Sequence, residues 1–447
     1  MLDGCATSVH DDTLGPTRKD SLKKYLLTNG PNDLNISLTF SSTGEVHMLY
    51  LDLHTLPHDF SRLSERLAAV KVRPVPSFAS YVPDYQLLYT LAGKYASVTN
   101  FLLIGRGGSV TGFRAIYDAL AAFHTTKRVH IIDTLDPDYI SCVKARCPPE
   151  DTLVLAISKS GDTVDVIENL LLFEGYRKVV VTENPDGALA QIASVKQLEI
   201  VKHPPIGGRF STGTECALLP AALIYVDIKS IVEGMRAVCR QCAPSRPIEQ
   251  NPALQLAAAL YLAEQDGQTE AYAPIYSKAL AGSAELWTQL MHESVCKQEQ
   301  GQTFLFMEAP ECQHHTNQKF FDGPRRMFGL FTRIEHPGHD LPLSIDHQLT
   351  GLQVRQLPLP RLEGERLSTA MKAEYLGVRQ AADDAKIANG TITLDVLNPG
   401  TFGELTAFWM YVAVYSAWLR GLDAFDQPGV EASKRIAVEE RLRRVPE

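Results

Sequence analysis

Three short segments carry side chains whose types and spacing suit the binding of an anion. Ile104-Gly-Arg-Gly-Gly-Ser-Val-Thr-Gly112 combines a run of glycines, including Gly108, with the hydroxyl of Ser109. Glycines let a backbone approach an anion closely, and the amides that open a following helix point toward it. The Gly-Lys-Ser/Thr ending of a Walker loop is missing, and a plain tight turn would use the same residues. Ser158-Lys-Ser-Gly-Asp-Thr163 is richer. The hydroxyls of Ser158, Ser160 and Thr163 and the ammonium of Lys159 match a phosphate in geometry and charge. A helix cap with solvated neighbours is the plain alternative. Two such turns after strands of one sheet favour a phosphorylated ligand. In Gly207-Gly-Arg-Phe-Ser-Thr212, Arg209 stands beside two glycines. A guanidinium there, charged at any working pH, can stabilise an oxyanion; a surface arginine after a flexible turn is the alternative.

The surrounding pattern explains how these turns are presented. Short apolar runs at Asn100–Ile104, Arg128–Ile132, Thr152–Ile157 and Lys178–Val181 alternate with helical stretches at Gly112–His124, Asp136–Arg146, Val164–Phe173 and Ala188–Ser194. This alternation predicts an α/β fold with a mainly parallel sheet and helices on both faces. Ligands in that architecture bind beyond the carboxyl ends of the strands, where the strand order reverses. The second half predicts helices at Pro252–Glu264, Ser283–Glu293, Arg366–Ile387 and Leu405–Leu419. Its strands are expected at Gln302–Met307, Met327–Thr332 and Thr391–Leu397, which fits a second α/β domain. Residues 1–75 read as an arm with a strand pair near Leu34–Phe40 and Glu45–Leu51 and a helix over Phe60–Val70. Arg73-Pro-Val-Pro76 follows as a hinge.

Composition bounds the function. The 447 residues carry 43 basic and 52 acidic side chains, a formal charge of −9, with 45% hydrophobic residues. That is a folded globular chain with no basic excess for nucleic acid. No apolar run reaches the roughly 20 residues of a membrane span, and the N-terminus lacks the build of a secretory signal, so a cytoplasmic chain is expected. The eight cysteines are spread along the sequence and read as free thiols, Cys239 and Cys242 included. His336, His339, Asp340, Asp346 and His347 read as a solvated loop rather than a metal site, because no helical ligand frame is present.

Taken together, the three turns resemble those of the glucose-6-phosphate isomerase (phosphoglucose isomerase) family, built from two sugar isomerase (SIS) domains. Leu286-Trp-Thr-Gln-Leu-Met-His-Glu-Ser-Val-Cys-Lys297 resembles the helix end that holds the family's catalytic glutamate. Phe425-Asp-Gln-Pro-Gly-Val-Glu-Ala-Ser-Lys434 resembles its C-terminal signature. Gln313-His314, with Gln318 and Asp322-Gly-Pro324, resembles the segment with its active-site histidine. The resemblance covers about residues 80 to 435. It implies two three-layer α/β/α domains at 76–245 and 246–425, the arm at 1–75, and a C-terminal active-site segment and helical tail at 426–447. Glu293 matches the base, Arg209 the group that stabilises a cis-enediolate, and His314 and Lys434 the groups of ring opening. Gln427 matches a further active-site residue, and Gly108, Ser109, Ser158, Lys159, Ser160 and Thr163 match the phosphate site. The family's histidine comes from a neighbouring subunit, so a homodimer with shared active sites is implied, with a hexose 6-phosphate as substrate and no cofactor or metal.

The implied chemistry is coherent. Aldose–ketose isomerisation needs one base that carries a proton between adjacent carbons, a fixed cation for the enediolate, and acid–base groups that open the ring. The phosphate serves to position the carbons. Action on mannose 6-phosphate as well, and a non-catalytic sugar-phosphate sensor, are the competing expectations. An amidotransferase-type isomerase would need a glutamine-hydrolysing domain that the arm is too short to hold. The sequence departs from the family at Val295-Cys296 after the base, at Cys312, at Asp423-Ala424 and at Arg106. Arg106 reads either as a phosphate contact or as a solvated cation.

Overall fold

In the computed structural model, residues 35–40 and 47–444 are described. Leu34 and Glu45, at the edges of the expected strand pair, lie outside them. The strands are β1 (Asn35–Phe40), β2 (His47–Asp52), β3 (Asn100–Ile104), β4 (Arg128–Ile132), β5 (Thr152–Ile157), β6 (Arg177–Thr182) and β7 (Glu199–Lys202). They continue with β8 (Glu270–Tyr276), β9 (Thr303–Glu308), β10 (Met327–Ile334), β11 (Gln353–Val354), β12 (Leu357–Pro358) and β13 (Asn389–Leu394).

One sheet has the order β4-β3-β5-β6-β7 and is parallel throughout. Its central strands β3 and β5 are buried along their whole length, which is why they read as unbroken apolar runs. The chain goes outward from β3 to β4 and then returns to the other side of β3 as β5. The strand order therefore reverses at β3 and β5, and the glycine turn and the serine-rich turn follow these two strands. The second sheet has the order β1-β2-β13-β10-β8-β9. Its β13, β10, β8 and β9 are parallel, and β2 joins antiparallel to β13, with Leu51 opposite Ile392. β2, from the N-terminal arm, thus extends a sheet built from the second half of the chain, with β1 beyond it.

The helix Pro399–Leu419 is buried on all sides from Thr401 onward and packs on the helices Ile228–Gln241, Pro252–Gln265 and Ala284–Val295. It begins six residues before the expected Leu405. Asn398 and Thr401 form a capping box with Pro399 at the first helical position, a start signal that precedes the apolar stretch. Among the described residues, no helix is long and apolar enough to cross a membrane.

Candidate active site

The first turn is shorter than the sequence suggests. Gly107 has φ +49°, so the chain reverses there and the helix Gly108–Leu120 begins at once, four residues before the expected Gly112. Gly108 and Ser109 open that helix at the carboxyl end of β3, where the Ser109 amide donates to the Arg106 carbonyl at 3.1 Å and the Gly108 amide is the end donor. A Cβ on Gly108 would sit 2.1 Å from the carbonyl carbon of Gly208, so only glycine lets this turn lie against the Gly207-Gly208-Arg209 turn. Arg106 takes neither expected role. Its guanidinium donates to the Asp165 carboxylate and to the Asp133 carbonyl, which ties the first turn to the helix after the second.

The second turn is internally ordered. The Ser158 and Thr163 hydroxyls are 2.8 Å apart, the Gly161 amide donates to Ser158 Oγ at 3.2 Å, and the Asp162 amide donates to Ser160 Oγ at 3.3 Å. The Lys159 ammonium is 3.5 Å from Glu183. Thr163 is the N-cap residue of the helix Val164–Leu171, and its side chain makes no capping bond.

The third turn is a single 3₁₀ turn, Gly208–Phe210, that buries Arg209 to 2% exposure. Every nitrogen of this guanidinium is engaged. Nε donates to Ser294 Oγ at 2.9 Å, Nη1 to Glu293 Oε2 at 3.0 Å and to Gln427 Oε1 at 2.9 Å, and Nη2 to the carbonyls of Ala424 (2.7 Å) and Asp426 (3.0 Å). Burial pulls its pKa below the usual arginine value, while Glu293, Asp426 and Asp423 oppose the shift. It remains a cation at neutral pH.

Glu293 lies in the last turn of the helix Ala284–Val295, with its side chain 26% exposed. The Gln289 amide donates to its Oε1 at 2.9 Å, so each carboxylate oxygen holds one fixed donor and the group still faces open space. Gln289 Oε1 in turn accepts from the Thr111 hydroxyl at 3.0 Å, on the helix that opens with Gly108. Sequence reading missed Gln289. Its position four residues before Glu293, hence on the same helix face, was the available signal. Lys297, also missed, pins the segment 423–426 through the Asp423 and Asp426 carbonyls and the Asp426 carboxylate.

Glu293, Arg209, Gln427 and the Gly108 turn are thus brought together within one chain, and the serine-rich turn stands at the same sheet end. His314 and Lys434 are not brought to this cluster. His314 is exposed on the helix Gln313–Asp322, and Lys434 is exposed on the helix Glu431–Arg444, where it pairs with Glu431 at 2.8 Å. Among the described residues no three His, Cys, Asp or Glu side chains gather as a metal site would require. Asp340 instead accepts from Ser368, and His336 faces Asp395 at 3.5 Å. Cys239 and Cys242 are buried thiols that burial pushes up to about 12.

The family model for phosphoglucose isomerase matches residues 90–311. A glucose-6-phosphate isomerase from Symbiobacterium thermophilum is 30% identical over 421 residues, covering 85% of this chain and 91% of its own. The chain belongs to the phosphoglucose isomerase family. A probable glucose-6-phosphate isomerase from Methanococcus maripaludis is 28% identical over 401 residues, covering 87% of this chain and 89% of its own. Among solved structures, a hypothetical protein from Thermus thermophilus matches with a TM-score of 0.79 at 26% identity, over 88% of this chain and all of that one. For a phosphoglucose isomerase family member, the pairing of a half-buried carboxylate with a fully buried guanidinium is the feature on which a function can be built.

Proposed function

We propose that this chain interconverts glucose 6-phosphate and fructose 6-phosphate through a cis-enediolate, as a cytoplasmic homodimer with shared sites. The observation that carries the reading is the Glu293–Arg209 pair, at 3.0 Å, beside the glycine turn that opens the helix Gly108–Leu120. Glu293 takes a proton from one of carbons 1 and 2 and returns it to the other. Arg209, fixed in place by its donated bonds, sets a buried positive charge against the negative charge that develops on the enediolate oxygen. Gln427 aligns that guanidinium. The phosphate rests on Ser158, Lys159, Ser160 and Thr163 with the amide of Gly108 and the hydroxyl of Ser109, and its binding energy sets the sugar carbons against the carboxylate. His314, from the partner subunit, and Lys434 open the ring. The lobes at 76–245 and 246–425, the arm at 1–75 and the segment at 426–447 are the units of this reading.

A coupled assay on fructose 6-phosphate tests it. The parent chain is expected to turn over and Glu293→Gln to lose at least roughly 1,000-fold in kcat while still binding the sugar phosphate, since the base alone is removed (about 4 kcal/mol of barrier). Parent-like turnover by Glu293→Gln overturns the assignment.

A further inference from the structure

The parallel sheet has a second end. A cavity of about 610 Å³ lies at the start of β4, lined by Tyr117, Lys127, Arg128, Val129, His130 and Arg146. Arg128 is opposite Asn100 at the first residue of β3, whereas the catalytic turns follow Ile104. The cavity is therefore removed from those turns by the length of a five-residue strand, roughly 15 Å.

Its lining is basic. None of the six residues is acidic, in a chain with nine more acidic than basic side chains. Three strand or pre-strand residues and one helix-end residue supply the cationic and imidazole groups. Lys127 spends its ammonium on the carbonyls of Ala96 (2.7 Å) and Val98 (2.6 Å). Arg128 and Arg146 differ: among the described residues, neither guanidinium has an ion-pair or hydrogen-bond partner. The helix end at Arg146 explains a cation there through the dipole, but it does not explain Arg128 and His130, which come from the strand. Both guanidiniums act on His130, which burial chiefly, then Arg146 and Arg128, hold below the usual imidazole value. Two unpaired cations beside a neutral imidazole, at the open edge of a sheet, form an anion receptor of small-molecule size.

We propose that this cavity binds a small phosphate-bearing anion between Arg128 and Arg146, at a site separate from the catalytic turns. The volume suits a metabolite, and the planar forks suit bidentate contact with phosphate oxygens. The bound species neither reacts nor reaches Glu293.

Titration of the full chain with inorganic pyrophosphate, followed by calorimetry, tests this. The parent is expected to show two classes of site. Ser158→Ala/Lys159→Ala removes one and leaves the other, which isolates the new site whatever reaction the catalytic turns perform. Arg128→Gln/Arg146→Gln weakens that remaining class at least tenfold and leaves turnover unchanged, while Arg128→Lys/Arg146→Lys retains part of the binding. Arg146→Gln alone, on an exposed helix end, gives the same direction if the double variant does not fold. Pyrophosphate binding that is indifferent to Arg128 and Arg146, or a parent with a single class lost entirely in Ser158→Ala/Lys159→Ala, overturns the proposal.

Discussion

Glu293 is positioned from two sides, by Arg209 on one oxygen and Gln289 on the other, and these donors come from different parts of the chain. The carboxylate is thereby held at a fixed torsion. Gln289 also reaches Thr111, so it registers the base against the glycine turn. A hydrogen bond to a charged group contributes about 1.5–3 kcal/mol. Gln289→Leu is accordingly expected to lower kcat roughly 10- to 100-fold with KM within about threefold, as measured by steady-state isomerase kinetics. An unchanged kcat would show that the carboxylate needs no such anchor. Arg209 was legible in the sequence because a lone arginine between glycines and a helix start has few structural uses. Gln289 was not, because its place four residues before Glu293 says that the two share a helix face and not that they touch.

The elements that frame the site are tied by charge rather than by packing alone. Arg106 links the first turn to the helix Val164–Leu171, and Arg441 of the C-terminal helix forks onto Glu168 of the same helix, at 2.7 and 2.8 Å. The pair is part exposed, so its removal costs little global stability, within about 1 kcal/mol. Arg441→Met is therefore expected to leave the melting temperature nearly unchanged but to raise amide exchange across 431–444 several-fold. Exchange equal to the parent would mean that the helix is held elsewhere. The long central helix carries a different charge. Glu404 is 3% exposed, its Oε2 has no hydrogen-bond partner, and burial raises its pKa from 4.5 to about 7. The folded chain thus keeps a proton that the unfolded chain releases, so stability falls as pH rises from about 4.5 to 7. Glu404→Gln is expected to match the parent near pH 4.5 and exceed it by about 3 kcal/mol above pH 7 in urea unfolding. Equal stabilities at pH 8 would count against a buried, protonated carboxyl. Strands β3 to β6 were legible as short apolar runs between turns. β8 was hidden by Pro274 and its alanines, which read as a strand breaker and as helix formers. The helix Gln313–Asp322 was hidden by its polar, histidine-rich face, and the early start at Gly108 by glycines that signalled only a turn.

At the scale of the whole molecule, one chain gathers the base and the cation but leaves His314 exposed, with no side-chain hydrogen bond or ion pair to either among the described residues. If ring opening needs an imidazole at the same sugar, a second copy must supply it, and a twofold dimer would do so reciprocally. The two defects should then complement. Glu293→Gln and His314→Ala homodimers each have two defective sites. A heterodimer of the two has one site with both defects and one that joins an intact carboxylate to an intact imidazole. Unfolding and refolding an equal mixture pairs chains at random, so half the dimers are mixed and about a quarter of all sites are complete. The coupled assay on fructose 6-phosphate is expected to recover about a quarter of the parent rate from the refolded mixture, and almost none from either variant refolded alone. A mixture no more active than its components would place the imidazole in the same chain as the base, and the exposed position of His314 would then demand a movement of its helix toward Glu293 rather than a partner.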